Sequence, residues 1–226
     1  VIESDTHDQD DWTSNDDPEF SWNSITGTTN YRYALNDDDN YDIDSDDNST
    51  GTDRTKSYSN RAEGEYWFHV ASCNGSTCSD TSHYRIRIDK TGPDTPQNIS
   101  GTVLSNNRVR LTWDEPDDNP DSENAGVEEY IVYRSNERDF DLTDPNTDEF
   151  DNITGGSFTD DDELTNGIAY YYKVQAVDAA GNRGSMSTEV RVLLSADECT
   201  LQINIENPGT VKAGNLDISV GITGGS

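Results

Sequence analysis

Apolar residues in this chain recur at every second position in short runs, and no window shows the three-and-four spacing of an amphipathic helix. Within 108–113, alternate positions hold valine, leucine and tryptophan, with arginine and threonine between them. Within 170–176, the even-numbered positions hold tyrosine, valine and alanine, whereas tyrosine, lysine and glutamine lie opposite. A period of two with one polar face is typical of antiparallel sheets that are covered on one side. We therefore predict an all-β chain.

The alternating runs occur twice in the same order. Residues 20–22 are matched 91 residues later by 111–113, and residues 66–71 are matched 104 residues later by 170–175. Self-similarity of this kind indicates repeated structural units. Short strands separated by clusters of Asp, Asn, Gly and Ser are typical of a β-sandwich. The chain is therefore predicted to contain two copies of one sandwich, followed by a further alternating segment.

The second copy carries features of a known family. They are Pro96 before the first predicted strand, Trp113 in the second, the run 130–135 in the third, Leu164 six residues before Tyr170, and the turn 177–182 between the last two strands. Through these features, residues 94–194 resemble a fibronectin type III domain. Residues 12–90 resemble a more divergent Ig-like relative from tandem arrays in large microbial surface proteins, through 64–70 and 83–89. The resemblance implies spacers, stalks, adhesins or accessory modules, and rarely catalysis.

Five segments are expected from these patterns. We predict an acidic N-terminal extension (1–11), an Ig-like β-sandwich (12–90), a Pro-containing linker (91–96), a fibronectin type III domain (97–194) and the start of a third Ig-like β domain that is truncated at the end of the chain (195–226). The linker contains Pro93 and Pro96, which cannot lie in a central strand and which stiffen the connection.

The charge excludes several classes of partner. The chain carries 46 acidic residues against 15 basic ones, for a formal net charge of −31. A chain without a basic face cannot neutralise phosphates, and anionic membrane surfaces repel it. No apolar run approaches the length of a transmembrane helix. We therefore predict no nucleic-acid partner and no membrane insertion of this segment.

The same charge suggests a solvent adaptation. The acids are dispersed over strands, loops and both ends, which is unlike an acidic tail. The excess of aspartate and the scarcity of lysine look like the surfaces of proteins from extreme halophiles. The alternative is a calcium-loaded adhesin, in which divalent ions offset the charge.

Two cysteines are placed for a disulfide. Cys73 and Cys78 flank four residues of a predicted hairpin, where antiparallel pairing brings two cysteines within disulfide reach. A disulfide predicts an oxidising, extracellular location. The alternatives are two free thiols or a pair of metal ligands that lacks further partners. The third cysteine, Cys199, is expected to pair beyond Ser226 if the third domain is truncated, and otherwise to be a free or intermolecular thiol.

Other residues are candidates for modification or ion binding. Four sequons make Asn48, Asn74, Asn98 and Asn152 candidates for N-glycosylation. Alternating oxygen ligands at Asp42, Asp44, Asp46, Asn48 and Asp53 match positions of an EF-hand-like calcium loop. Position six of that loop is Asp47 instead of glycine, and no helices flank it, so a solvated acidic loop is the alternative.

Catalysis has little support in the sequence. The three histidines lie in the acidic start and on predicted strands, and no nucleophile elbow, metal-binding histidine spacing or phosphate-binding glycine loop is present. We predict that the segment is not an enzyme. Trp67, Tyr133 and Tyr171 are candidates for an exposed platform that stacks on glycans, with core packing as the alternative.

These observations predict a non-catalytic, extracellular structural or adhesive segment of a surface protein, such as a stalk, a filament or a surface-layer spacer adapted to high salt. Its expected partners are other surface proteins, neighbouring domains of the same chain or further copies of itself, with glycans as another candidate. The alternatives are a glycan- or protein-binding module and an accessory region of a secreted hydrolase. No cofactor is expected to be required, and Ca²⁺ is the one candidate ion.

Overall fold

The fold is all-β, as predicted. A computed structural model describes residues 1–117, 124–162 and 164–194, and these residues form strands and turns without a helix. In particular, they include no helix with the length and hydropathy needed to cross a bilayer. The predicted third domain (195–226) and Cys199 lie outside the described residues.

The strands are β1 (Ile2–Glu3), β2 (Trp12–Thr13), β3 (Glu19–Trp22), β4 (Asn30–Asn36), β5 (Asn48–Gly51), β6 (Thr55–Ser57), β7 (Gly64–Asn74), β8 (Thr77–Cys78), β9 (Ser82–Ile88), β10 (Gln97–Leu104), β11 (Arg108–Asp114), β12 (Val127–Ser135), β13 (Asp148–Ile153), β14 (Ser157–Asp160), β15 (Ala169–Asp178) and β16 (Val190–Leu193).

The first sandwich packs a small sheet, in the order β1-β3-β6, against a larger sheet in the order β2-β9-β7-β4-β5, with β8 paired to the end of β7. Neighbouring strands are antiparallel, except that β2 runs parallel to β9. The core between the sheets is aromatic. Phe20 of the small sheet stacks on Phe68 of the larger one, with ring centroids 4.1 Å apart. Such ring pairs stabilise a core beyond the apolar area that they bury.

The second sandwich repeats this arrangement. A three-stranded sheet, β10-β11-β14, faces a four-stranded sheet, β13-β12-β15-β16. The alternate residues of 108–113 and the even-numbered residues of 170–176 point into the core between them, as their period-two pattern predicts. Trp113 lies against Tyr130 there, with ring centroids 5.2 Å apart.

A tyrosine corner closes one end of the second sandwich. The backbone N–H of Thr165 donates to the hydroxyl oxygen of Tyr170 at 3.0 Å, and Leu164 is buried in the core. Tyr170 lies near the start of β15. A tyrosine at this place, bonded to the backbone a few residues upstream, is a hallmark of Ig-like and related sandwiches. The Leu164–Tyr170 pair noted in the sequence therefore has the expected structural role.

The prediction that residues 1–11 form an extension outside the first sandwich is wrong. Ile2 is 8% exposed and packs in the first core, and β1 pairs with β3. His7 is 2% exposed, and its carbonyl accepts a hydrogen bond from the hydroxyl of Tyr84 at 2.8 Å. A strand of two residues among acids leaves no periodic pattern, so the sequence alone could not reveal it.

We expect acid to destabilise the protein through His7. Its Nε2 donates to the carbonyl of Asn15 at 2.9 Å, and its Nδ1 accepts from the hydroxyl of Thr6 at 2.9 Å. Both ring nitrogens are thus satisfied in the neutral form. Burial lowers the pKa of His7 below 6.5, although the hydrogen bond to Asn15 opposes this. The unfolded chain therefore binds more protons than the folded chain as the pH falls below 6.5, so the free energy of unfolding falls.

Urea unfolding of the wild type and of His7→Gln, at about pH 7 and about pH 5, measures this effect because glutamine does not titrate in that range. The stability advantage of the wild type over the variant should shrink at the lower pH. A constant difference between the two proteins would contradict the assignment to His7.

The outer face of each larger sheet is covered by a chain connection. In the first sandwich, residues 37–47 between β4 and β5 fold back over the sheet, and Ile43 is 7% exposed. In the second, residues 136–147 between β12 and β13 do the same, and Phe140 packs with Tyr133 in a small outer cluster. Where these connections lie, the larger sheets are therefore covered on both sides. In contrast, the period-two pattern predicts a polar outer face that is open to solvent.

Candidate functional site: the joint between the two sandwiches

Asp89 follows β9, at the end of the first sandwich, and is 2% exposed. Its Oδ1 accepts from the backbone N–H of Thr91 at 3.0 Å, and its Oδ2 accepts from the N–H of Ala125 at 2.8 Å. Its carbonyl accepts from the side-chain amide of Asn182 at 2.9 Å. Asp89 therefore joins the last strand of the first sandwich to two separate connections of the second sandwich.

Asp178 holds the other side of the joint. It ends β15 and is 1% exposed. Its Oδ1 accepts from the backbone N–H groups of Ala180 and Asn182, at 2.9 and 2.8 Å, and its Oδ2 accepts from the Asn182 amide at 2.8 Å. Burial raises the pKa of Asp178 and the charge of Asp89 raises it further, while the hydrogen bonds from Asn182 and Ala180 oppose the shift. The Asn182 amide thus bridges the two buried aspartates.

The backbones at the joint touch without side chains between them. A Cβ atom on Gly92 would lie 2.8 Å from the carbonyl carbon and oxygen of Arg183, and a Cβ atom on Gly184 would overlap the carbonyl oxygen of Pro93. Only glycine allows so close an approach at these two positions. The linker is therefore packed directly against the turn between β15 and β16.

The joint can hold two sandwiches at a fixed separation and orientation. Its contacts are hydrogen bonds to buried carboxylates and close backbone packing, and none of the described ion pairs includes Asp89 or Asp178. The sequence indicated the turn 177–182 and the stiff linker separately. It could not show that they meet, because the contact joins Asp89 to Asn182 across 93 positions of sequence.

The predicted disulfide is present. Cys73 and Cys78 lie directly opposite each other on β7 and β8 and are bonded through their sulfur atoms. Cys73 is 1% exposed and lies near the end of β7. The bond closes a tight hairpin, which fits the oxidising location that the sequence predicts.

Replacing both Cys73 and Cys78 with serine should lower the free energy of unfolding by about 2 kcal/mol, because the short loop that they close would gain entropy in the unfolded chain. Thermal or urea unfolding without reductant measures the loss. Ser76→Ala, in the same exposed turn, is the matched control and should have little effect. Equal stability of the double variant and the wild type would contradict the prediction.

The predicted calcium ligands do not converge. The residues Asp42, Asp44, Asp46, Asn48 and Asp53 are all exposed. The Asp44 carboxylate accepts from the N–H of Asp46 at 2.7 Å, so it closes its own turn. In the part of the chain that the structure describes, no group of three or more His, Cys, Asp or Glu side chains could hold a metal ion. Calcium binding by this loop stays a prediction without geometric support.

The sequon asparagines Asn48, Asn74, Asn98 and Asn152 are all exposed, and their glycosylation stays a prediction. Two of them have a structural role. Asn98 and Asn152 adopt left-handed backbone conformations, with φ of 53° and 56°, and each lies at a β-bulge. Asparagine tolerates this conformation better than most residues, which accounts for its presence there without a glycan.

The candidate aromatics do not form one platform. Trp67 lies in the first sandwich, half-buried, with the Arg85 guanidinium 5.5 Å from its ring. Tyr133 is 2% exposed, so it presents no face to a ligand. Tyr171 is half-buried and packs against the outer cluster of the second sandwich. Core and rim packing, the alternative that the sequence left open, describes Tyr133 and Tyr171.

Short stretches of the chain are similar to enzymes named amylopullulanase and chitinase. No family model matches the chain. Amylopullulanases of Thermoanaerobacterium thermosulfurigenes and Thermoanaerobacterium saccharolyticum are 32% identical over 107 residues and 34% identical over 101 residues. Chitinase A1 of Niallia circulans is 31% identical over 109 residues. These alignments cover 45–48% of this chain but only 5%, 7% and 13% of the three relatives.

Solved structures that resemble the chain contain fibronectin type III domains. The FN1–FN3 domains of chicken CNTN1 are 16% identical, with 84% of this chain and 67% of that chain covered and a TM-score of 0.45. An Fn3-like protein of Clostridium thermocellum is 30% identical, with 44% and 90% covered and a TM-score of 0.34. A two-domain segment of chicken tenascin is 12% identical, with 87% and 98% covered and a TM-score of 0.33.

The class of this protein is defined by its own architecture. Both sandwiches place a three-stranded sheet against a larger sheet, and the second has the tyrosine corner. The chain is therefore a tandem of β-sandwiches of the fibronectin type III and Ig-like kind, as its sequence resemblance implied. Domains of this kind are themselves non-catalytic.

Proposed function

We propose that this chain is a non-catalytic spacer in a secreted polysaccharide-degrading enzyme, where it holds neighbouring domains at a fixed separation. The main support for this proposal is the joint, where Asp89 and Asn182 link the two sandwiches by side-chain and main-chain hydrogen bonds. A spacer needs such a link, since two domains on a free linker would not keep a fixed offset.

The relatives support the hydrolase context. Amylopullulanases and a chitinase share 31–34% identity with about half of this chain, and the shared part is a small fraction of each enzyme. A segment of this kind is expected to accompany a catalytic domain instead of performing catalysis. The disulfide between Cys73 and Cys78 fits a secreted protein.

The surface favours a spacer over a glycan-binding module. Sugar-binding sites use aromatic rings that are free to stack, and none of the candidate rings Trp67, Tyr133 and Tyr171 is fully exposed. The chain itself should therefore not sediment with insoluble starch or chitin at high salt. Clear sedimentation that is lost in Trp67→Ala, with the fold retained, would favour a binding module instead.

Sequencing the complete reading frame that encodes this chain tests whether the chain belongs to an enzyme. A glycoside hydrolase domain in the same polypeptide is the expected result. In that enzyme, deletion of residues 1–194 should leave activity on a short soluble substrate unchanged and reduce activity on the insoluble polysaccharide several-fold. A reading frame with no hydrolase domain would overturn the proposal.

A surface stalk or filament is the second candidate function. It is favoured by the repetition of one sandwich plan along the chain, since arrays of such units build long spacers. Many further sandwiches in the same reading frame, with a membrane anchor and without a hydrolase domain, are the expected result for this candidate. The joint would then set the offset between successive units of the stalk.

We also propose that the acid-rich surface suits concentrated salt. A net charge of −31 opposes compaction by self-repulsion, and salt screens it, with a Debye length of about 3 Å at 1 M. The melting temperature by circular dichroism should therefore rise from about 0.1 M to about 1 M NaCl, with or without EGTA. A fold that persists at low salt but is lost on chelation would contradict this and favour a calcium-loaded protein.

A further inference from the structure

Two histidines face each other on the outer side of the first sandwich. His69 on β7 and His83 on β9 are directly opposite in the antiparallel register, and their Nδ1 atoms are 2.8 Å apart. His69 is 0% exposed beneath the connection 37–47, whereas His83 is exposed. The pair therefore has one side built into the protein and one side open to solvent.

A second contact fixes the protonation of His69. The side-chain oxygen of Asn36 accepts from the backbone N–H of Asp38 at 3.0 Å, which identifies that atom as the oxygen. The same oxygen lies 3.0 Å from Nε2 of His69, so Nε2 must carry a hydrogen and donate it. In the neutral ring, Nδ1 then accepts the hydrogen on Nδ1 of His83 across the 2.8 Å contact, so its lone pair is directed at His83. An imidazole that binds a metal through one nitrogen usually donates the other N–H to such an acceptor.

We propose that His69 and His83 form a chelating site for a borderline divalent cation of the Zn²⁺, Ni²⁺ or Cu²⁺ class, bound through the two Nδ1 atoms. Imidazole suits these ions, whereas Ca²⁺ and Mg²⁺ prefer oxygen ligands. Zn–N bonds of about 2.0–2.1 Å place two nitrogens of a tetrahedral site about 3.3 Å apart. For both lone pairs to converge on one ion, His83 must carry its hydrogen on Nε2, and its exposed ring must rotate so that the two Nδ1 atoms lie about 0.5 Å farther apart.

The surroundings favour a cation. The connection 37–47, whose Tyr41 ring lies 5.5 Å from the His69 ring, contains seven aspartates. The neighbouring strands carry two arginines, Arg32 on β4 and Arg85 on β9. Arg32 is bonded to the carbonyl of Asp47, and Arg85 is paired with Asp10 and Glu65. The two imidazoles supply two ligands, and water would complete the shell of an ion bound there. The site is thus open, with exchangeable positions on the side of His83.

Calorimetric titration of the whole chain with ZnCl₂, in enough NaCl to screen diffuse attraction to the acidic surface, tests the site. The wild type should bind one Zn²⁺, and His83→Asn should weaken the affinity at least about tenfold, as should Asn36→Ala through loss of the second contact. Ser82→Asn, on the exposed neighbour, is the matched control and should bind like the wild type. CaCl₂ should not distinguish these proteins.

Imidazole ¹⁵N spectra give a readout that does not depend on affinity. Zn²⁺ should shift the Nδ1 signals of His69 and His83 and leave those of His7 unchanged, because His7 is bonded to Thr6 and Asn15 inside the first sandwich. Equal zinc affinity of the wild type and His83→Asn, or Nδ1 signals of His69 and His83 that Zn²⁺ leaves unchanged, would overturn the proposal. Because His83 is exposed, its substitution should not unfold the protein.

Discussion

Replacing Arg134 with methionine should destabilise the second sandwich by about 3–5 kcal/mol, because it leaves a buried carboxylate without its cation. The Nη1 atom of Arg134 lies 2.8 Å from both carboxylate oxygens of Asp160, whose side chain is 0% exposed. The hydroxyl of Tyr172 also donates to Asp160 at 2.8 Å. Hydrogen bonds and charge from Asp160 and Asp148 raise the pKa of Arg134 despite the opposing effect of burial. The guanidinium therefore stays charged in the folded protein.

Urea unfolding measures the loss, and two further variants isolate its cause. Arg138→Met removes an exposed arginine whose pair with Asp139 has side chains 76% and 82% exposed, so it should cost no more than about 1 kcal/mol. Arg134→Met combined with Asp160→Asn should be more stable than Arg134→Met alone, because the charge that was left unpaired is gone while Tyr172 keeps an acceptor. If the double variant were the less stable of the two, the loss would have to come from packing instead.

This network shows which part of the fold the sequence could not predict. The period-two runs identified the core faces of β11 and β15, since alternation alone determines which side chains point inwards. Alternation does not indicate which of the 46 acidic residues pairs with Arg134, and so it does not identify Asp160. That pairing depends on Arg134 of β12 and Asp160 of β14 lying on opposite sheets at the same height, and no local pattern encodes that.

The covered outer faces illustrate the same limit. The uninterrupted apolar run 130–133 departs from strict alternation, which is the signal that both sides of β12 are buried. The sequence does not show that Phe140 is the residue that covers it. In the first sandwich, His69 occupies the corresponding covered position, 104 residues before Lys173, whose amine donates to the carbonyl of Phe140 at 3.0 Å. The repeat predicts equivalent positions, but the side chains there have diverged.

Gly184→Ala should break the contacts between the two sandwiches, so that each can move independently. The new Cβ would overlap the carbonyl oxygen of Pro93, a backbone atom that cannot rotate away. The linker would have to move, and the hydrogen bonds from Ala125 and Asn182 to Asp89 would lengthen or break. A destabilisation of about 1–3 kcal/mol is expected, as for other overpacked sites. In ¹⁵N relaxation measurements, the two sandwiches of the wild type should share one rotational correlation time, and those of the variant should have separate, shorter ones.

Gly167→Ala is the matched control for this result. Gly167 has a left-handed φ of 82° and nothing within 4 Å of the position of its Cβ, so alanine strains the backbone of the second sandwich without touching the linker. Its stability should fall, while the shared correlation time is retained. Asn182→Ala, which removes the amide between Asp89 and Asp178, should resemble Gly184→Ala in its relaxation. If the sandwiches of Gly184→Ala still tumbled as one body, close packing of the linker would not be what fixes their orientation, and the spacer function would lose its mechanical basis.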